Sequence, residues 1–243
     1  MTDWYKQDLA YIHDAGFSDY ALQSAPGILA ILEQHNIDDG LIVDLGCGSG
    51  LSAKEFTKAG YQVLGIDIST AMIDLARDRV PDAQFIVESV FKVEIPPCRA
   101  VTAIGECFNY LFDEDNTKQN LVALFGRVYD SLKVGGLFIF DIVEFGQVAP
   151  ARKSQGFREG QDWLILFEKE EDPQKNLLTR RIIALRKLGE YYRRDEEIHR
   201  QRLYVAAELA GELRQIGFEV KVMRNYGSFE LPLARRAFVA RKC

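Results

Sequence analysis

The sequence predicts an α/β protein: a mostly parallel sheet with helices on both faces and an antiparallel β insert. Three observations carry this. The stretch Leu41-Ile-Val-Asp-Leu-Gly-Cys-Gly-Ser-Gly50 is an apolar strand running into a turn with glycines at alternate positions, and a helical pattern from Leu51 follows it. Strand-length apolar runs then alternate with helical patterns as far as Val143. From Glu144 to about Tyr204 the pattern changes to alternating runs separated by turn signals. At 243 residues this suits one domain, 1–243, with residues 144–204 as an inserted β cap subdomain.

The elements follow in order. Residues 3 to 35 read as two helices, the first broken at Gly16 and the second capped by Asp19. Asp38-Asp39-Gly40 turns into the first strand. In the glycine turn, glycine permits a tight backbone and close approach of a ligand, while the helix N-terminus offers unpaired N–H groups. Leu51, Phe56 and Ala59 share a helical face that ends at Gly60. Tyr61 to Asp67 is the second strand. Asp67 stands about twenty residues past the glycines, where an acid can take a ribose diol. Ser69 caps a helix from Thr70 to Arg79 that Pro81 ends. Gln84–Ser89 and Ala100–Gly105 are the third and fourth strands. Asn116–Leu132 is a long amphipathic helix, and Gly135-Gly136 turns into a strand from Leu137 to Val143.

Within the insert, strands are expected over 162–168, 178–185 and 191–204, with Trp163, Ile165 and Phe167 in alternation. Ala151 to Arg202 carries 13 Lys and Arg against 10 Asp and Glu, so the insert is basic in a chain of net charge -6. Helix resumes over 206–216, and strands over 218–224 and 237–241 end the chain.

Composition narrows the function classes. The net charge argues against general nucleic-acid affinity. No apolar run approaches the ~18 residues of a membrane span, and no signal region opens the chain, so a cytoplasmic location is expected. Cys47, Cys98, Cys107 and Cys243 lack C-x-x-C spacing and read as reduced thiols; His13, His35 and His199 lie far apart, so no metal site is expected.

The glycine turn reads G-x-G-x-G, not the G-x-G-x-x-G of dinucleotide sites, whose last glycine is Leu51 here. Asp44 inside the strand suits a ligand bearing positive charge rather than a pyrophosphate. The stretch resembles motif I (D-x-G-x-G-x-G) of the class I S-adenosylmethionine-dependent methyltransferases. Leu132-Lys-Val-Gly-Gly136 is similar to the L-K-P-G-G turn before the fifth strand of many members, with Val134 in place of proline.

The resemblance implies a Rossmann-like, seven-stranded, mostly parallel sheet whose last strand is antiparallel, with the β cap inserted after strand five. It implies S-adenosyl-L-methionine as methyl donor, S-adenosyl-L-homocysteine as product, and a small-molecule acceptor; charge and hydropathy, as above, argue against nucleic acid or membrane as partner. The antiparallel cap resembles those of small-molecule methyltransferases such as glycine and amino-sugar N-methyltransferases. By the family pattern, Asp44, Gly46, Gly48, Asp67, Ile68, Gly105 and Glu106 surround the cofactor. Asp67 takes the ribose hydroxyls, Gly46 and Glu106 lie near the methionine amino group, and Ile68 and Met72 flank the adenine. Where members often carry Gly-Asp after the third strand, this chain has Glu88-Ser89, so the Ser89 hydroxyl or the Val90 N–H is assigned to the adenine.

Cys107-Phe-Asn-Tyr-Leu111 follows the fourth strand and is expected to face the methyl group. Phe108 and Tyr110 offer aromatic faces there, and Asn109 an amide to orient the acceptor. His199, in a cap strand with Glu197 and Gln201 on its face by alternation, is the candidate general base. Tyr11 and Tyr226 are expected at the pocket rim, and Arg180-Arg181 on a solvated face. Two other readings stay open: a module that binds the cofactor without transfer, and a methyltransferase acting on nucleic acid or protein. The cap strands are also a candidate homodimer interface.

Overall fold

The structure is a computed structural model that describes residues 4–149 and 152–243. Met1–Asp3, at the edge of the first expected helix, and Pro150–Ala151, inside the expected insert, lie outside the described residues.

The chain enters through α1 (Gln7–Gly16) and α2 (Asp19–Gln34). Asp19 is not a cap: it is the first residue of α2, Ser18 precedes it, and no side chain caps that end. Then β1 (Leu41–Leu45), α3 (Leu51–Lys58), β2 (Gln62–Asp67), α4 (Thr70–Arg79), β3 (Gln84–Val87) and β4 (Cys98–Ala103) alternate as the periodicity requires. Ser69 caps α4, its hydroxyl accepting the Met72 N–H at 3.3 Å. α5 spans Lys118–Ser131 with Thr117 as its cap.

β5 runs from Leu132 to Val143, five residues earlier than expected. Gly135 and Gly136 lie inside this strand, where the pairing with β4 jumps from Cys98–Leu132 to Ala100–Leu137. Gly135 takes φ +80°, and a Cβ on Gly136 would stand 2.8 Å from the Arg99 carbonyl oxygen, so glycine lets the bulge form.

The insert is a four-stranded antiparallel sheet of β6 (Lys153–Glu159), β7 (Trp163–Asp172), β8 (Leu177–Leu188) and β9 (Tyr191–Arg202), paired in that order. β6 was not expected. It is a polar edge strand, K-S-Q-G-F-R-E, with no apolar alternation to announce it. α6 (Ala206–Ile216), β10 (Phe218–Met223), the short hairpin β11 (Asn225–Tyr226) and β12 (Phe229–Glu230), and β13 (Arg235–Lys242) complete the chain.

The main sheet has the order β10-β13-β5-β4-β1-β2-β3. Strands β1 to β5 are parallel, and β13 is antiparallel to both β5 and β10. Alternate strand residues feed two cores. Val43, Leu45, Val101, Phe138 and Phe140 pack against α5 and α6, while Ile42, Val63, Leu137 and Ile139 pack against α2, α3 and α4. α1 instead packs Leu9 and Ile12 on Trp163, Ile165 and Ala184 of the insert. The chain leaves β1 for β2 and β3 on one side and returns to β4 on the other. The switch between β1 and β4 opens a crevice at their carboxyl ends, where ligands of such sheets bind.

Candidate functional site

A cavity of about 440 Å³ occupies that crevice. Its floor is the carboxyl ends of β1, β2 and β4; its roof is the inner face of the four-stranded sheet; Tyr5, His13 and Phe17 close one side.

The floor starts from the glycine turn. Gly46, Gly48 and Gly50 have φ of +72°, +52° and +75°, which side chains rarely tolerate. The Gly46 and Cys47 N–H groups donate to the Ile66 carbonyl at 2.7 and 3.0 Å, which locks the turn to β2. A Cβ on Gly46 would stand 2.6 Å from the Cys107 sulfur, whereas one on Gly48 would meet nothing within 4 Å because it faces the cavity. The Gly48 and Ser69 N–H groups donate to the two Asp67 oxygens at 2.9 Å each. Asp44 accepts the Thr102 hydroxyl at 2.7 Å. Burial raises Asp67, and it raises Asp44 to about 6, against the Thr102 hydrogen bond and with a smaller push from Asp67. Among the described residues neither carboxylate has a cationic partner.

Glu106 stands where floor meets roof, at φ +60°. Asp141 holds this strained turn by accepting the Gly105 and Glu106 N–H groups at 3.0 and 2.7 Å. Arg180 of β8 donates to the Glu106 carboxylate at 2.6 Å, the Tyr110 hydroxyl at 3.3 Å, and Arg235 of β13 also pairs with it. Burial alone would raise Glu106; the two guanidinium groups reverse that and hold it at about 2.

The roof presents His199, 1% exposed. Its Nε2 meets the Glu197 carboxylate at 2.8 Å. That carboxylate is fixed in turn by the Tyr5 and Lys6 N–H groups, both at 3.1 Å. The rings of Trp4, Tyr5, Tyr110 and Phe112 surround the imidazole at centroid distances of 4.8–6.1 Å.

Of the residues singled out in the sequence, Asp44, Gly46, Gly48, Asp67, Ile68, Met72, Val90, Gly105, Glu106, Tyr110 and His199 line this one cavity. Five others do not. The Ser89 hydroxyl donates to the carboxylate of Asp113, and it is Asp113 that reaches the wall. Asn109 spends its amide on backbone: Nδ2 donates to the Val143 and Arg202 carbonyls at 2.9 and 2.6 Å, and Oδ1 accepts the Val143 N–H at 3.0 Å. It ties β5 to β9 and, fully buried, does not reach the cavity.

The 3₁₀ turn at Cys107–Asn109 sends Phe108 into the core, with ring centroids 5.4–6.1 Å from Phe125, Phe138 and Phe140. Tyr226 is fully buried beneath α2, its hydroxyl 3.4 Å from Asp141. Tyr11 donates to Asp162 at 3.2 Å and lies under the Arg186 guanidinium, away from the cavity. Conversely, Tyr5, Lys169 and Arg235 line the cavity without having been singled out, and Arg180, expected on a solvated face, lines it too, its guanidinium turned inward to Glu106. Arg180 is in register with His199, so alternation along β8 and β9 carried the signal once their pairing was known.

These residues fit S-adenosylmethionine. Buried carboxylates without a counter-cation suit hydroxyl donors and a positively charged ligand. The open space over Gly48 leaves the turn's backbone accessible, and the cavity volume lies within the ~300–1,000 Å³ usual for cofactor sites.

Comparison with known proteins agrees. Residues 42–136 match the methyltransferase domain family. The Bacillus subtilis protein YqeM is 25% identical over 189 residues, 75% of each chain. The mouse 18S rRNA (guanine-N(7))-methyltransferase is 26% identical over 138 residues, 54% of this chain and 49% of that protein. Among solved structures, S-adenosylmethionine-bound CalS10, an amino pentose methyltransferase from Micromonospora echinaspora, shares the fold with a TM-score of 0.78, at 16% identity and with 96% and 97% of the two chains covered. With its matched domain, strand order and carboxylate-lined crevice, the chain is similar to the class I S-adenosylmethionine-dependent methyltransferases, and S-adenosylmethionine-dependent methyl transfer is the activity these findings support.

Proposed function

We propose that this methyltransferase acts on a small-molecule acceptor held under the four-stranded sheet, with His199 as the general base. The observation that carries this is confinement: donor-side acids and His199 share one cavity of about 440 Å³ roofed by the insert and flanked by the N-terminal segment. A folded protein or a nucleic-acid helix does not enter such a space. In this reading the chain works as one domain, and residues 144–204 supply the acceptor side.

S-adenosylmethionine supplies a methyl group already activated on a sulfonium. The protein's residues then bind and align. Asp67 takes the ribose hydroxyls, Ile68 and Met72 flank the adenine, and Asp113 with the Val90 backbone takes the place first assigned to Ser89. Glu106 and the Gly46 turn hold the methionine amino group. Alignment in a closed site can lower the barrier by roughly 7–11 kcal/mol.

Glu197 accepts from His199 Nε2 and is itself held by two backbone N–H groups. This supports a tautomer with the proton on Nε2 and the lone pair on Nδ1. Nδ1 then receives the proton from an ammonium or hydroxyl acceptor, and Glu197 stabilises the imidazolium.

The test is a screen of small amines, phenols and carboxylates for formation of S-adenosylhomocysteine, alongside ribosomal RNA and a protein extract. Turnover on a small acceptor, lost in His199→Ala while donor binding persists, supports the proposal. Turnover on RNA or protein alone overturns the acceptor class. Donor binding with no turnover on any acceptor favours a binding module.

A further inference from the structure

The roof of the cavity carries one cation, Lys169, that no carboxylate pairs with among the described residues. Lys169, Arg180 and His199 sit side by side on β7, β8 and β9: Lys169 is in register with Arg180, and Arg180 with His199. All three line the cavity. Arg180 is paired with Glu106, and Arg235 with Glu106 and Asp141. Lys169 is half-buried; its ammonium has no ion pair and no hydrogen bond among the described residues and lies 5.6 Å from the Phe167 ring centre. Burial and, next, the charge of Arg180 lower its proton affinity. A desolvated cation beside a second cation is unfavourable unless something anionic completes it.

From this geometry we infer that the acceptor carries an anionic group, a carboxylate or a phosphate, bound between Lys169 and Arg180. This deepens the proposed function and rests on its reading of the cavity as the acceptor site. The remaining charge distribution agrees. On the donor side, Asp44 and Asp67 face the cavity without cations; on the roof, Lys169 and Arg180 face it, Arg180 paired with Glu106 and Lys169 with no carboxylate among the described residues. An anionic acceptor is drawn to the roof and kept from the carboxylate floor. Neighbouring strands stand ~4.8 Å apart, so His199 lies one strand from Arg180 and two from Lys169. The acceptor class is therefore a compact molecule whose nucleophilic nitrogen or oxygen is separated from its anionic group by roughly 5–10 Å. Hydroxybenzoates, amino acids with a short spacer and phosphorylated amino alcohols meet that description.

Two measurements test it on the full-length protein saturated with S-adenosylhomocysteine. In the first, acetate and inorganic phosphate are titrated calorimetrically. Millimolar or tighter binding of either, weakened at least tenfold in Lys169→Met and retained in Lys169→Arg, supports the site, and the preferred anion tells carboxylate from phosphate. No binding of either anion, or equal binding by Lys169→Met, overturns it. In the second, turnover is compared on matched pairs: 4-hydroxybenzoate with 4-hydroxybenzamide, β-alanine with its amide, and phosphoethanolamine with ethanolamine. A tenfold or greater preference in kcat/KM for a charged member, lost in Lys169→Met through KM, supports the proposal. Equal or better turnover of the neutral members overturns it. Failure of the wild-type protein to bind S-adenosylmethionine would sink the methyltransferase reading instead, and the anion titration, run on the ligand-free protein, would still decide the Lys169 site.

Discussion

The floor and the roof of the cavity are built differently. On the floor, the charged groups are short acids fixed by close, short-reach donors: Asp67 by the Gly48 and Ser69 backbone N–H groups, Asp44 by the Thr102 hydroxyl. On the roof, long side chains project from strands, and their positions depend on partners such as Glu106 and Glu197. The floor is a rigid receptor of fixed chemistry suited to one cofactor. In the proposed function, the roof's side chains set the acceptor. Glu106 joins the two, since it stands on the floor and its charge is matched from the roof.

That contrast can be broken at several points. The largest effect is expected from His199→Ala. Turnover should fall roughly 10²–10⁴-fold, and the limb of the pH–rate profile that needs an unprotonated imidazole should vanish, while calorimetry finds donor affinity unchanged. Donor affinity falling together with turnover would mean that floor and roof are not separable.

Asn109→Ala should act on the join between the two sheets and not on chemistry. Losing the amide leaves buried groups at Val143 and Arg202 unpaired, so chemical denaturation should show a loss of roughly 2–4 kcal/mol. A normally stable variant with altered acceptor KM would restore the acceptor role.

Asp67→Ala should weaken S-adenosylmethionine binding by about 1.5–3 kcal/mol, roughly 10- to 150-fold, leaving acceptor KM alone. Unchanged donor affinity would remove Asp67 from the site.

Asp44→Asn gives a smaller effect with a definite sign. Its folded pKa is raised from 3.8 to about 6, so the fold prefers the protonated acid. The resulting stabilisation is complete below pH 4 and lost as pH rises through 6. At pH 7 the asparagine variant, free of that charge, should exceed the ligand-free wild type by about 1–3 kcal/mol, and the two should converge near pH 4. Melting temperatures across that range check it, and its donor affinity should fall. Equal stability at pH 7 would contradict the unpaired charge.

Tyr11→Phe marks the small end: about 1 kcal/mol or less from the lost bond to Asp162, with turnover intact. A change in acceptor KM would put Tyr11 back at the rim.

What was legible in the sequence was local. Gly46, Gly48 and Gly50 take positive φ in a turn that the alternating glycines mark, and Asp44 and Asp67 stand at the carboxyl ends of their strands beside them, so their convergence follows from strand–turn–helix geometry. The parallel order of β1 to β5 follows from right-handed crossovers, and the cap's existence from the change of period. His199 was found by its place in an alternating strand.

Tertiary structure decided the rest. Arg180 and Arg181 are adjacent and chemically alike, and only the register of β8 on β9 turned Arg180 to Glu106 and left Arg181 exposed on Glu196. In the turn after β4, one 3₁₀ step assigned Phe108 to the core, Asn109 to the β5–β9 join and Tyr110 to the cavity, an order that no periodicity encodes. Lys169 and Asp113 reached the cavity through contacts across the insert and a loop. Residues far apart in sequence meet according to pairing and packing, so their roles appear only once the two sheets have closed on each other.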